Sequence, residues 1–145
     1  METLFNDIQK QIAENIEGLS LIDEDYGQLE AIETGEDTYP VTFPCVLISA
    51  PKVEWKQLGG PSQQGNCAIT IRLAIDCYDD THHGSGTEDK AAERMLIAQS
   101  IHRALQCFRS GNCTPLIRKT SQNYSLPHGI KVYETMYNCV VNDIV

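Results

Sequence analysis

The spacing of hydrophobic and polar residues near the N-terminus predicts an amphipathic helix. Asn, Asp, Gln, Lys and Glu residues lie between apolar residues that recur every three or four positions, at Leu4, Phe5, Ile8, Ile12, Ile16 and Leu19. We expect this helix to end near Gly18. The acidic residues of segment 23–37 then predict a solvated connection. Four apolar residues in or next to this segment are available to cover the edge of the core: Leu21, Ile22, Leu29 and Ile32.

A two-residue alternation predicts strands in the middle of the chain. A β-rich run behind two prolines predicts a strand from about Phe43, and residues 52–57 predict a second. The clearest alternation follows, where small or polar residues separate Cys67, Ile69, Ile71, Leu73, Ile75 and Cys77. Such a strand buries one face. We therefore expect Ile71 to be buried, and Arg72 and Asp76 to be exposed.

The remaining pattern predicts a second helix and two closing strands. Thr87 is a natural N-cap before two acids, and an apolar stripe extends to residue 108 through Met95, Ala98, Ile101, Leu105 and Phe108. Residues 115–122 and 129–141 predict strands, separated by 124–128. The order α-β-β-β-α-β-β predicts one α+β domain over residues 1–145. Its sheet is mainly antiparallel, with about five strands and two helices on one face.

Composition narrows the classes of function. The chain has 145 residues, is 41% hydrophobic and carries a formal net charge of −9. Such acidity argues against sequence-specific nucleic acid binding and against an anionic membrane surface. No apolar run approaches the roughly 20 residues of a membrane span, and the acidic N-terminus differs from a secretory signal. We therefore expect a cytosolic protein whose six cysteines are thiols, of which only Cys107 and Cys113 are placed to meet.

The stretch CYDDTHHGSG, residues 77–86, is the first candidate for a chemical site. Its adjacent histidines, His82 and His83, point apart in an extended chain, and no third histidine is near in sequence. The stretch is therefore interpreted as a solvated turn between a strand and a helix. Cys45 and His102 are the residue types of a nucleophile and its base, but a thiol in an apolar strand stays protonated. We predict no catalytic residue, no cofactor and no metal ion, and hence no enzyme.

An interaction surface is predicted around the segment LGGPSQQG, residues 58–65, which has the composition of a long, mobile hairpin tip. Trp55 at its base is open to two interpretations, core packing or partner contact. A tip of this composition cannot bury enough surface to order itself, so we expect it to become ordered against a partner. The predicted interface residues are Trp55, Gln57, Leu58, Gly59, Gly60, Gln63 and Gln64.

The order of elements, together with three short motifs, resembles a known family. These motifs are DEDYGQLE (residues 23–30), YPVTFPCVLIS (39–49) and KAAERMLIAQSIHRAL (90–105). With a leading helix, two long strands and a final hairpin, the chain resembles the tail-terminator and tail-completion proteins of long-tailed phages and prophages over nearly its full length. The prophage-borne versions are the most similar, through Gly27–Glu30 and the Phe43-Pro44 step.

The resemblance implies a small structural subunit. Members of the family form a hexameric ring that caps the tail tube and joins it to the head, and they have no catalytic residues. The partners that it implies are further copies of this chain, tail-tube proteins and neck proteins. The free protein is then either a monomer or a ring. It also implies assembly in the host cytoplasm and a final place in the virion tail or neck. An acidic channel would let DNA slide, although a solvated acidic exterior explains the charge equally well.

Two other functions remain open on the residues alone. The first is a stand-alone acidic binding module or inhibitor, which mimics nucleic acid or docks a basic protein. The second is a metal-dependent enzyme built on residues 77–83.

Overall fold

The computed structural model describes residues 2–33, 41–76, 88–111 and 113–144. Its three helices are α1 (Glu2–Asn15), α2 (Gln28–Glu33) and α3 (Glu88–Leu105). The six strands are β1 (Leu21–Glu24), β2 (Cys45–Ile48), β3 (Lys52–Gly59), β4 (Ser62–Asp76), β5 (Ile117–Leu126) and β6 (Ile130–Ile144). The predicted α+β class and element order are confirmed, with β1 and α2 as additional elements.

The six strands belong to one sheet. Five of them follow the order β1-β2-β4-β6-β5, and β3 pairs with β4 beside this path. The β1–β2 pair is parallel, and the other described pairs are antiparallel. β4 and β6 pair along their whole length, from Ser62 opposite Ile144 to Asp76 opposite Ile130. On its other side β4 pairs with β3 over its first half and with β2 over its second half. This long central pair therefore carries the rest of the sheet.

Helices α1 and α3 cover one face of the sheet, as the alternating pattern predicted. Their apolar residues, among them Ile8, Ile12 and Leu105, form a buried cluster with Ile71 and Leu73 of β4. Ile8, Ile12 and Leu105 are fully buried, and Ile71 is 3% exposed. Gly18 has a φ of +84°, a backbone conformation that glycine adopts readily. The chain turns there from α1 toward β1.

The opposite face is also covered, which the sequence analysis did not predict. Leu29 and Ile32 of α2 pack on Leu47, Ala74 and other residues of that face. The prediction that segment 23–37 is a solvated connection was therefore wrong for residues 23–24, which end β1, and for Gln28–Glu33, which form α2. The expected contact of Leu29 and Ile32 with the core is confirmed. Leu29 and Ile32 recur at helical spacing in an otherwise polar segment, and burying them required a helix.

Helix α3, which the sequence predicted as the second helix, differs from the prediction in which residues it buries. Met95 was predicted to face the core but is 54% exposed, whereas Arg94 is 8% exposed. At 3.6 residues per turn, Arg94 is better aligned with Ala98, Ile101 and Leu105 than Met95 is. The helix ends at Leu105, three residues before the predicted end. The predicted N-cap, Thr87, lies outside the described residues.

The final hairpin is tighter than predicted. Residues 124–128 were expected to separate the last two strands, but β5 continues to Leu126 and the turn occupies residues 127–129. Leu126 is buried in the α2-side cluster. Packing on the face that α2 covers thus extends β5 through residues 124–126, although the composition of 124–128 is typical of a loop.

Candidate functional site

The predicted interface residues all lie in one β-hairpin, which we call the ribbon and define as residues 52–65. The expected eight-residue tip was wrong, because β3 and β4 stay paired up to Gly59 opposite Ser62. Only Gly60 and Pro61 lie between these strands. Gly59 and Gly60 have φ values of +141° and +54°, and the side chain of Gln57 donates a hydrogen bond to the Gly60 carbonyl at 2.7 Å. The sequence of the tip therefore encodes a tight turn.

Trp55 packs across the ribbon through a contact that requires glycine. It lies directly opposite Gly65. A Cβ atom at position 65 would lie 2.9 Å from two ring carbons of Trp55 and 2.5 Å from Val53 Cγ1. The indole thus covers the space left by the missing side chain, yet Trp55 remains 43% exposed. One side of the indole packs within the ribbon and the rest faces outward, so Trp55 is not a core residue and its contact with a partner stays a prediction.

Leu58 is presented by an irregularity in the ribbon. The pairing of β3 with β4 shifts between Gln57 and Gly59, so Leu58 has no opposite residue, and it is 55% exposed. A β-bulge of this kind re-aims a side chain away from the regular pleat. Of the other predicted interface residues, Gln57, Gly59 and Gly60 are exposed, and Gln63 and Gln64 are half-buried.

The outer edge of the ribbon is open. No strand among the described residues pairs with the free side of β3. Its side chains are exposed at every position except Val53. Lys52, Glu54 and Lys56 are charged, which hinders indiscriminate strand pairing. The ribbon thus offers two apolar side chains, Trp55 and Leu58, beside an unpaired edge. That it contacts a partner stays a prediction.

Replacing Gly65 by alanine is expected to displace Trp55 and to lower the free energy of unfolding by about 1–3 kcal/mol. The new Cβ has no space against Val53 and the indole. Trp55 is the chain's one tryptophan, so its fluorescence should shift to longer wavelength as the ring becomes more solvated. The neighbouring Gln64→Ala change is the control. Equal spectra for both variants would mean that the ring does not rest on Gly65.

An ion-pair network around the buried Arg72, on the α2 side of the sheet, is the main feature that the sequence pattern did not reveal. Arg72 was expected to be exposed but is 8% exposed. Its guanidinium lies 2.7 Å from Asp25 and 2.9 Å from Glu30. It also donates to the Tyr124 hydroxyl at 3.3 Å, and Tyr124 in turn donates to Glu134 at 3.1 Å. The expected exposure of Asp76 is confirmed.

The network fixes the acidic segment against the sheet. Asp25 also accepts a hydrogen bond from the Gly27 amide, and the Gln28 side chain bridges the Tyr26 amide and the Glu24 carbonyl. Burial alone would lower the pKa of Arg72, but hydrogen bonds to Glu30 and Tyr124 and the charge of Asp25 outweigh it and raise that pKa. The guanidinium therefore stays charged and acts as a structural anchor for α2.

Acidification should weaken this anchor. The hydrogen bond from Arg72 holds the pKa of Glu30 below its ordinary value of 4.5. Because the folded-state pKa is depressed, the stabilisation is present above about pH 4.5 and is lost as the pH falls through the folded-state value. Glu30→Gln should flatten the fall of stability in that range, measured by denaturant unfolding at a series of pH values. Glu24→Gln is the control, and identical slopes for the two variants would contradict the network.

The residues weighed as catalytic candidates are not brought together. Cys45 packs in the α2-side cluster, whereas His102 belongs to α3 on the other face. Burial raises the pKa of the Cys45 thiol to about 11. Burial, with a smaller contribution from the charge of Arg118, lowers the pKa of His102, whose Nδ1 lies 2.8 Å from the Tyr137 hydroxyl. His102 and Tyr137 are therefore hydrogen-bonded, and the tautomer of the imidazole decides which of the two donates.

The cysteine prediction needs one correction. Cys113 was expected to be placed to meet Cys107, but it packs on the core beside Cys139, which lies opposite Cys67 in the sheet. Cys107 is exposed. The reason is the segment after α3, where the Cys107 amide bonds Leu116 and the Thr114 amide bonds Val140. These bonds carry Cys113 onto β6. All five described cysteines are free thiols.

The stretch CYDDTHHGSG, residues 77–86, lies outside the described part of the chain. Within residues 2–33, 41–76, 88–111 and 113–144, no three His, Cys, Asp or Glu side chains are grouped so that they could hold a metal ion. None of the three described helices combines the length and apolarity that crossing a membrane requires.

Comparison with known proteins gives one informative result. No protein-family model matches the chain, and no curated protein matches it in sequence. Among solved structures, it is similar to a chain from the virion of a native gene transfer agent (GTA) particle, with a TM-score of 0.65 and 10% sequence identity. The alignment covers 98% of this chain and 96% of that chain. At this identity the likeness establishes a shared fold over almost the entire length of both chains.

Proposed function

We propose that this protein is a non-catalytic structural component of a phage-like virion, and within that class a tail terminator. The observation that carries the proposal is the end-to-end likeness in fold to a chain of a gene transfer agent virion. The family resemblance of the motifs at residues 23–30, 39–49 and 90–105 points to the same class independently of that comparison. In this role the subunits form a ring that caps the tail tube and joins it to the head.

The ribbon is the surface through which we expect the subunit to bind the tail tube or a neck protein. Trp55 and Leu58 are its large apolar side chains, and both are about half exposed. Aromatic residues held partly rigid by their own subunit suit such a contact, because little side-chain entropy is lost on binding. Trp55 meets this condition through its packing on Gly65 and Val53. The open edge of β3 adds backbone hydrogen-bonding groups.

Complementation tests the proposal. In an induced host whose own copy of the gene is deleted, the double variant Trp55→Ser, Leu58→Ser should fold but fail to yield tailed, infectious or DNA-transferring particles. The matched control is Met95→Ser, Leu96→Ser, which removes two apolar residues of similar or greater exposure from α3. Particle counts by electron microscopy and transfer titres are the measurements.

Normal tails with the ribbon variant would contradict the ribbon's role. Normal tails in the deletion strain itself would contradict the tail-terminator assignment. An acidic binding module that acts apart from the virion predicts that second result.

A further inference from the structure

Positive and negative charges are segregated along this chain. Residues 11–37 contain nine Asp or Glu residues and no Lys or Arg. Residues 94–131 contain six Lys or Arg residues and no Asp or Glu. A net charge of −9 therefore conceals a strongly basic part, and the placement of both parts in the fold determines what they can do.

The fold places one strand from each part at opposite ends of the sheet. β1 belongs to the acidic part and β5 to the basic part, and these strands begin and end the order β1-β2-β4-β6-β5. At a strand spacing of about 4.8 Å, the two lie about 19 Å apart. Helix α1 bonds to β1 through Gln9 and the Ile22 carbonyl, while the end of α3 bonds to β5 through Gln106 and the Arg118 amide. The two helices also contact each other, because Gln11 donates to the Ala104 carbonyl at 2.9 Å, so the separation of charge rests on the two outer strands and the segments beside them.

Both ends present their charges to solvent. The acidic edge comprises the exposed residues Glu14, Glu17 and Glu24, and the basic edge comprises the exposed residues Arg103, Arg109, Arg118 and Lys119. Among the described residues, Lys10–Glu14 is the ion pair that involves either edge, at 3.8 Å with both side chains largely exposed. The cations of the basic edge have no carboxylate partner within that part of the chain.

We propose that the acidic edge of one copy binds the basic edge of a second copy, head to tail. When copies are placed in a row, the acidic edge of one copy attracts the basic edge of the next, whereas two acidic or two basic edges repel each other. A contact between two different patches leaves one free edge at each end of a dimer, so it propagates into a ring or a filament. Each edge therefore binds the opposite edge of another copy of this chain.

The contact acts through side chains rather than through an extended sheet. Gln9 donates to the Ile22 carbonyl and so occupies part of the outer edge of β1. The β5–β6 pairing shifts between Arg118 and Thr120, which places Lys119 in a bulge. A blocked edge and a charged bulge both oppose strand addition. This subunit contact is separate from the ribbon and can be measured on the purified protein, so it does not depend on the tail assignment.

Charge reversal with a mixing step tests the proposal. One variant carries Arg118→Glu and Lys119→Glu, and the other carries Glu17→Lys and Glu24→Lys. Sedimentation velocity should show self-association of the wild type at about 20 mM salt and at least tenfold weaker association at about 500 mM, because the screening length falls from about 20 Å to about 4 Å. Each variant alone should associate at least tenfold more weakly than the wild type.

Mixing the two variants in equal amounts should restore association, since each acidic edge then meets a basic edge on the other variant. The ribbon variant Lys56→Glu is the control and should associate like the wild type. Three results would overturn the proposal: a wild type that is monomeric at low salt up to about 200 μM, charge-reversed variants that associate as strongly as the wild type, or a mixture of the two variants that does not associate. Tight binding of short duplex DNA that needs Arg118 and Lys119, without self-association, would assign the basic edge to nucleic acid instead. Circular dichroism confirms that each variant is folded.

Discussion

Replacing Arg72 by serine is expected to lower the free energy of unfolding by about 3–5 kcal/mol, a large part of the stability of a typical domain. The guanidinium contacts Asp25, whose side chain is 14% exposed, and removing it leaves that carboxylate without its cation. It also releases Glu30 and Tyr124. The exposure expected from the alternating pattern would have made the same substitution nearly neutral.

Chemical denaturation of three variants separates these outcomes. Arg118→Ser is the matched control, because it makes the same change on an exposed strand position, and it should alter stability by less than about 0.5 kcal/mol. Adding Asp25→Asn to Arg72→Ser should recover part of the loss, since the uncompensated charge is then removed. Equal, small effects of Arg72→Ser and Arg118→Ser would show that the network contributes nothing to stability.

Replacing Ile71 by aspartate should prevent folding. Ile71 is 3% exposed and lies between the sheet and the α1–α3 layer. The change removes about 1.5–3 kcal/mol of apolar burial and places a carboxylate in a cluster of apolar side chains, at a further loss of several kcal/mol. The sum approaches the 5–15 kcal/mol by which a domain of this size is typically stable.

Loss of the far-ultraviolet circular dichroism signal, together with a collapsed amide spectrum by NMR, is the expected readout for Ile71→Asp. Ile71→Val should remain folded and lose only about 0.5–1.5 kcal/mol. A cooperative unfolding transition for the aspartate variant, similar to that of the wild type, would mean that β4 is in a different register.

The sequence predicted one layer of this fold well and the other poorly. Strict alternation in β4 identified the face that α1 and α3 cover, because successive side chains of a strand point to opposite faces of the sheet. It could not reveal that α2 covers the other face, since Arg72 and Ala74 have no apolar signal of their own. The missing evidence was the pairing of Arg72 with Asp25 and Glu30, which are more than 40 residues away in sequence.

The candidate interface residues were predicted in the wrong conformation. Glycines and glutamines in 58–65 predicted a loop, whereas β6 pairs with residues 62–65 and, together with β3, holds them in a strand. Gly65, interpreted as part of a mobile tip, is buried beneath Trp55. Composition alone cannot distinguish a glycine that frees the backbone from one that admits an indole ring.

The position of the protein in a purified particle tests the central claim most directly. Cryo-electron microscopy of tailed particles from an induced host should place copies of this chain in a ring at the head-proximal end of the tail tube. The ribbon, residues 52–65, should contact the tube or a neck protein. Particles with complete, head-joined tails that lack this chain, or that carry it elsewhere than the tail and neck, would contradict the account.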